Sequence, residues 1–149
     1  MAVHLIRSYL VALAGLGIGA AVGLILALAF RRVRTWDAWV TIPLLLAAAG
    51  AHIALIPQVE AQREVLFGLY GAALVGTVIV ALAGLAIWRV GAVVFPAGSI
   101  AAYFYFALPT HQADYVGLIV KLVELAAICA ALVPMLARER SYGGRRMAA

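Results

Sequence analysis

From Tyr9 to Phe30 the chain carries no charged side chain, and then Arg31, Arg32 and Arg34 arrive almost together. A helix needs about 20 apolar residues to cross the roughly 30 Å hydrocarbon layer of a bilayer. Four more runs of this kind follow, over 38–56, 65–88, 91–108 and 115–137. In lipid every backbone polar group must be satisfied internally, which leaves helices as the structure for runs of this length and continuity. The pattern predicts an all-α, polytopic transmembrane helical bundle of about five spans in one domain, 1–149. The run 91–108 is the shortest, contains Pro96 and follows the third with almost no linker. A four-span chain with a re-entrant hairpin is therefore an alternative.

Composition points the same way. The 149 residues are 67% hydrophobic and 11% charged, with mean hydropathy +1.11. Soluble domains carry about 45–50% apolar and about 25% charged residues. So small a core cannot bury this apolar excess, and the surplus faces lipid. One cysteine, Cys129, excludes a disulfide framework or a Cys-rich metal site.

The charges that exist are placed as topology labels. Arg31, Arg32, Arg34, Arg89, Arg138, Arg140, Arg145 and Arg146 fall on one side of a five-span chain, against Arg7 and Arg63 on the other. Short loops rich in Lys and Arg stay cytoplasmic. The N-terminus is thus expected outside and the segment 138–149 is expected to be a basic cytoplasmic tail. Trp36 and Trp39 sit where an interfacial aromatic belt is expected. The first run exceeds a signal-peptide core, and its basic cluster follows rather than precedes it, so it reads as a retained span. The net charge of +5 does not indicate nucleic-acid binding, because the basic tail has no aromatic interleaving; anionic headgroups are its expected contact.

Lipid tails are as apolar as leucine, so helices associate through close backbone approach and scarce polar contacts. Gly15, Gly19 and Gly23 form a GxxxGxxxG ridge on the first span, and Gly68, Ala72, Gly76 and Gly84 a small-residue stripe on the third. Their partner is either another helix of the same chain, a second copy, or another membrane subunit.

Lys121 and Glu124 break the last run. Each intramembrane charge costs about 2.5–3.5 kcal/mol at a helix centre on insertion scales. At i and i+3 the two share a face and can pair. Counting about 1.5 Å per residue from Tyr115, Lys121 lies about 9 Å and Glu124 about 13–14 Å into the layer. Gly117, Lys121, Glu124 and Ile128 line this face, which suggests protein contact. The pair is either a structural register lock or a site for proton, ion or ligand handling.

His4, His52 and His111 are all expected toward the outer side, near Glu60, Glu64, Asp114, Tyr103 and Tyr105. Imidazole and carboxylate suit transition metals, and paired histidines can ligate haem. No HxxxH, HExxH or CxxC spacing fixes two ligands on one face, so these are weak metal candidates, and no cofactor is assigned. His52 shares a stripe of the second span with Thr41, Leu45 and Ala48, and Ser99 shares one with Tyr103 on the fourth. We expect an outer-leaflet polar cluster of His52, Tyr103 and His111, in which Tyr103 can hydrogen-bond His52 or Lys121. Enzyme activity has little support: no GxSxG elbow and no GxxxxGK[ST] loop occurs.

The stretch Ala51-His52-Ile53-Ala54-Leu55-Ile56-Pro57, followed by Glu60, Glu64, Phe67 and Gly68, resembles a pattern in small uncharacterised bacterial integral membrane proteins. There a helix-terminal His precedes a Pro and an acidic loop, and the next helix opens with a Gly/Phe segment. The Leu108-Pro109 turn and the Glu124 helix also look similar. Gln58 and Val59 stand where that pattern often has a second His, and no activity carries over. The resemblance implies a small helical membrane protein.

These features lead us to expect a non-catalytic, multi-pass protein of a bacterial inner membrane. It would be an accessory or assembly subunit of a membrane complex, or a homo-oligomer, with the lipid bilayer as its constant partner. The alternatives are a small transport or ligand-binding protein using the His/Lys/Glu cluster, and a haem- or metal-binding redox component.

Overall fold

A computed structural model describes residues 2–30, 35–59, 61–110 and 114–146. It contains five long α-helices: α1 (Ala2–Ala29), α2 (Trp36–Leu55), α3 (Ala61–Leu82), α4 (Trp88–Thr110) and α5 (Tyr115–Arg146). A single 3₁₀ turn, Ile56–Gln58, follows α2. All five helices are long and apolar enough to cross a membrane. The run 91–108 thus forms a helix of full length, with Pro96 buried inside it.

Helices α2, α3, α4 and α5 form a ring of neighbours, and α1 lies outside it against α2. Successive helices run antiparallel. Along the first pair, Gly15 meets Gly50, Gly19 meets Leu46 and Gly23 meets Pro43, so one number rises as the other falls. A Cβ at Gly19 would lie within 2.0 Å of the Leu46 carbonyl oxygen, and one at Gly15 within 2.3 Å of that of Gly50. The glycine ridge is therefore occupied within the chain, backbone against backbone. On α3, a Cβ at Gly68 would touch Ile56 at 3.8 Å, whereas one at Gly76 would meet nothing within 4 Å. Gly76 instead lies in an open groove between α3 and α4 with Thr77, Trp88, Gly91 and Phe95. Within the chain the α3 stripe is thus packed at Gly68 and open at Gly76.

Two boundaries differ from expectation. The third helix ends at Leu82, not near Trp88, because Gly84 adopts φ +78° and closes a Schellman cap. The Leu85 N–H donates to the Val80 carbonyl at 3.2 Å, and the Gly84 N–H to that of Ala81 at 2.9 Å. Ile87 and the residues before it then form the turn, and α4 begins at Trp88. At the other end of the chain α5 continues to Arg146, so most of the basic tail extends the helix. Asp114 starts α5 as its N-cap, its Oδ1 accepting from the Gly117 N–H at 2.5 Å.

The apolar core inside the ring is built from Ile42, Leu45, Leu74, Val78, Ala92, Ala127 and Ala131. Outside it, Leu10, Ile18, Ile25, Leu66, Leu69, Ile79, Val94 and Leu122 are exposed, as a lipid-facing surface requires. At one end of the core, where α2 and α4 both begin, the buried carboxylate of Asp37 accepts from Arg89 Nε at 3.0 Å and from Nη2 of the same guanidinium. That guanidinium also lies 5.0 Å from the Trp88 ring centroid. The opposite end of the core holds the polar groups described next.

Candidate functional site

Four helices each contribute a polar side chain to one point inside the ring, at the end away from Asp37 and Arg89. On α5 the 3.6-residue repeat puts Gly117, Lys121 and Glu124 on one face. On α4 it aligns Ser99 with Tyr103, on α3 Phe67 with Tyr70 and Leu74, and on α2 Ala48 with His52. These four stripes face inward, and Glu124 is where they meet.

Glu124 is fully buried, at 0% exposure. Its Oε2 accepts from Lys121 Nζ at 2.8 Å. Its Oε1 accepts from the Tyr70 hydroxyl at 2.9 Å and from Ser99 Oγ at 3.2 Å. Lys121 Nζ also donates to Ser99 Oγ, so lysine, serine and carboxylate form a closed triangle of hydrogen bonds. The ammonium lies 5.9 Å from the Tyr70 ring centroid and 5.8 Å from that of Tyr103, within cation–π reach of both. A buried charge pair is tolerated when its remaining donors and acceptors find partners, and this one meets that condition.

His52 completes the cluster from α2. Its Nδ1 lies 2.8 Å from the Ala48 carbonyl oxygen and its Nε2 3.9 Å from Glu124 Oε1. Phe67 and Tyr70 hold the ring edge-on, with centroids at 5.2 and 4.6 Å.

Tyr103 closes the end of the cluster nearest the start of α5. Its ring occupies the space that a Cβ on Gly117 would need, at 2.7 Å. Its hydroxyl donates to the Asp114 carbonyl and accepts from the Asp114 N–H, both at 3.2 Å. Asp114 is thus the hydrogen-bond partner of Tyr103, in place of His52 or Lys121, because the phenol points along α4 toward the start of α5. Its ring face is what the lysine meets.

His52, Tyr103, Lys121 and Glu124 are therefore gathered, together with Ser99. His111 lies outside the described residues, and so does the side chain of His4. Among the described residues no three His, Cys, Asp or Glu side chains gather as metal ligands. The sequence does not single out Tyr70, and Phe67 enters there only through the resemblance. An uncharged Tyr inside an apolar run leaves no mark on hydropathy, and its only signal is that Phe67 and Tyr70 stand at i and i+3. The Asp37–Arg89 pair was also missed. Its signal was available: an acidic and a basic residue, each in the first turn of a span that begins at the same membrane face.

The cluster offers a net-neutral ammonium–carboxylate pair, two hydroxyls and an imidazole nitrogen facing the carboxylate. It can hold or exchange a proton or bind a small charged species. No family model, curated protein or solved structure matches the chain.

Proposed function

We propose that this is a small multi-pass membrane protein that binds or moves a small charged species at the His52–Tyr70–Ser99–Lys121–Glu124 site. The observation that carries this reading is the convergence of four helices on the single carboxylate of Glu124. Helix association alone does not require it, since the α1–α2 seam is made with glycines. Intramembrane ionisable groups that face a bundle interior mark ion and proton sites. By the distribution of arginines, the N-terminus lies outside, the C-terminus is cytoplasmic, and the site is in the outer half of the membrane.

Charge displacement on a solid-supported membrane tests this reading. Proteoliposomes of the full chain are exposed to jumps in proton, sodium, potassium or zinc concentration. The wild type gives a transient current for at least one ion, and the Lys121→Met/Glu124→Gln double variant, which keeps the pair's charge balance, gives none. Silence from the wild type for every ion, or equal currents from the folded double variant, would overturn the reading.

A second reading is an accessory or assembly subunit of a membrane complex, or a homo-oligomer. The open groove at Gly76 between α3 and α4 favours it, because a Cβ there would meet nothing within 4 Å and another helix can approach closely. A stoichiometric partner or an oligomer after purification in mild detergent supports it; a clean monomer counts against it.

A further inference from the structure

Resting on the reading of the Glu124 cluster as the working site, we propose that the species it takes up is a single proton, exchanged between His52 Nε2 and Glu124 Oε1.

The ring orientation of His52 decides the tautomer. A carbonyl oxygen only accepts, so the 2.8 Å contact with Ala48 requires the hydrogen on Nδ1. The neutral ring then presents a bare lone pair at Nε2, and that lone pair faces Glu124 Oε1 at 3.9 Å. Glu124 is already served by three donors, Tyr70 and Ser99 on Oε1 and Lys121 on Oε2. Two acceptors therefore confront each other, and the missing element is one proton.

The titratable groups around His52 come from α3 and α5. Tyr70 reaches it from α3, and Lys121 and Glu124 stand on α5, while Ser99 from α4 touches the pair and not the imidazole. At this level α1 meets α2 through Gly15 against Gly50 and Ala54. With Lys121 charged and Glu124 ionised the cluster is neutral; one added proton makes it +1. The proton arrives on the Nε2 lone pair. In the hop, the Nε2–H bond breaks and its electron pair returns to nitrogen, while an Oε1–H bond forms, with nothing oxidised or reduced. Closing the 3.9 Å gap to a hydrogen bond takes a shift of about 1 Å, within the reach of side-chain rotation. Toward the Arg89 end the surroundings are the buried apolar side chains Leu45, Leu74, Ala92 and Ala127.

Nitrogen-15 NMR of histidine-labelled full chain in lipid vesicles reads this directly, with His52→Gln identifying the signal. At alkaline pH the His52 ring carries its hydrogen on Nδ1 and none on Nε2. On acidification Nε2 gains the proton, and in Glu124→Gln this needs at least about tenfold more acid, since the carboxylate that stabilises imidazolium is gone. A neutral ring with the hydrogen on Nε2, or a titration unmoved by Glu124→Gln, would refute the proposal. The current measurement separates the two levels. A response to proton jumps alone supports the proton; a response to sodium, potassium or zinc but not to protons refutes the proton and leaves the working site standing. No response to any ion defeats both.

Discussion

Asp37 and Arg89, 52 residues apart in sequence, are joined at the membrane end where α2 and α4 begin, with Arg89 Nε 3.0 Å from Asp37 Oδ2. Asp37 is 2% exposed while the Arg89 side chain keeps 26% of its surface open. The pair ties two helices that are diagonal in the ring, and it does so with the side chain best able to reach a polar boundary. Removing the guanidinium leaves a buried carboxylate alone. We expect Arg89→Ala to cost about 3 kcal/mol and the Asp37→Asn/Arg89→Ala double variant to recover part of that loss. Thermal denaturation in detergent, arranged as a double-mutant cycle, measures the coupling; additive losses would show that the pair contributes nothing.

The Lys121–Glu124 pair makes a sharper form of the same prediction. Either Lys121→Met or Glu124→Gln strands its partner, and each should destabilise the bundle by about 3–5 kcal/mol. The double variant removes both charges and keeps two side chains of similar length. Its melting temperature should lie well above those of both single variants.

Glycine positions on α1 differ in what they face. Gly19→Ala drives a methyl into the Leu46 carbonyl, where the available space ends at 2.0 Å, and should cost about 1–3 kcal/mol. Gly17→Ala meets nothing within 4 Å and should change stability by no more than about 0.5 kcal/mol. Comparing the two in one detergent isolates the seam from helix propensity.

Gly84→Ala tests the cap between α3 and α4. A φ of +78° costs an L side chain about 1–2 kcal/mol, although the space around Gly84 is open. The loss should therefore persist for Gly84→Ser, and Gly84→Asn should be the mildest of the three, because asparagine tolerates the left-handed region.

The five helices were legible because crossing a bilayer demands long apolar runs, and Arg31, Arg32, Arg89 and Pro57 interrupt them. The exact join between α3 and α4 was not, since Leu82 to Trp88 is as apolar as the spans it connects and hydropathy is blind to a change of φ at Gly84. At the site, Lys121 and Glu124 announced themselves by their cost in lipid. Tyr70 did not, because a phenol inside an apolar run costs little until its hydroxyl must find a partner. The contact between His52 and Glu124 joins α2 to α5 across the ring, and no local spacing encodes it. The ridge of Gly15, Gly19 and Gly23 carries the chemistry of a tight interface while leaving open which helix fills it.

Helix α2 has two sides of different temperament. Toward α1 it shows Gly50, Leu46 and Pro43, met by glycine backbone, a seam that acid and salt have no handle on. Toward the ring it shows Asp37 and His52, whose partners Arg89 and Glu124 answer to both. If protonation turns or tilts α2, α1 travels with it as cargo, because the seam has no reason to slip. Any displacement of α2 is then carried to the outermost helix and to the surface it presents.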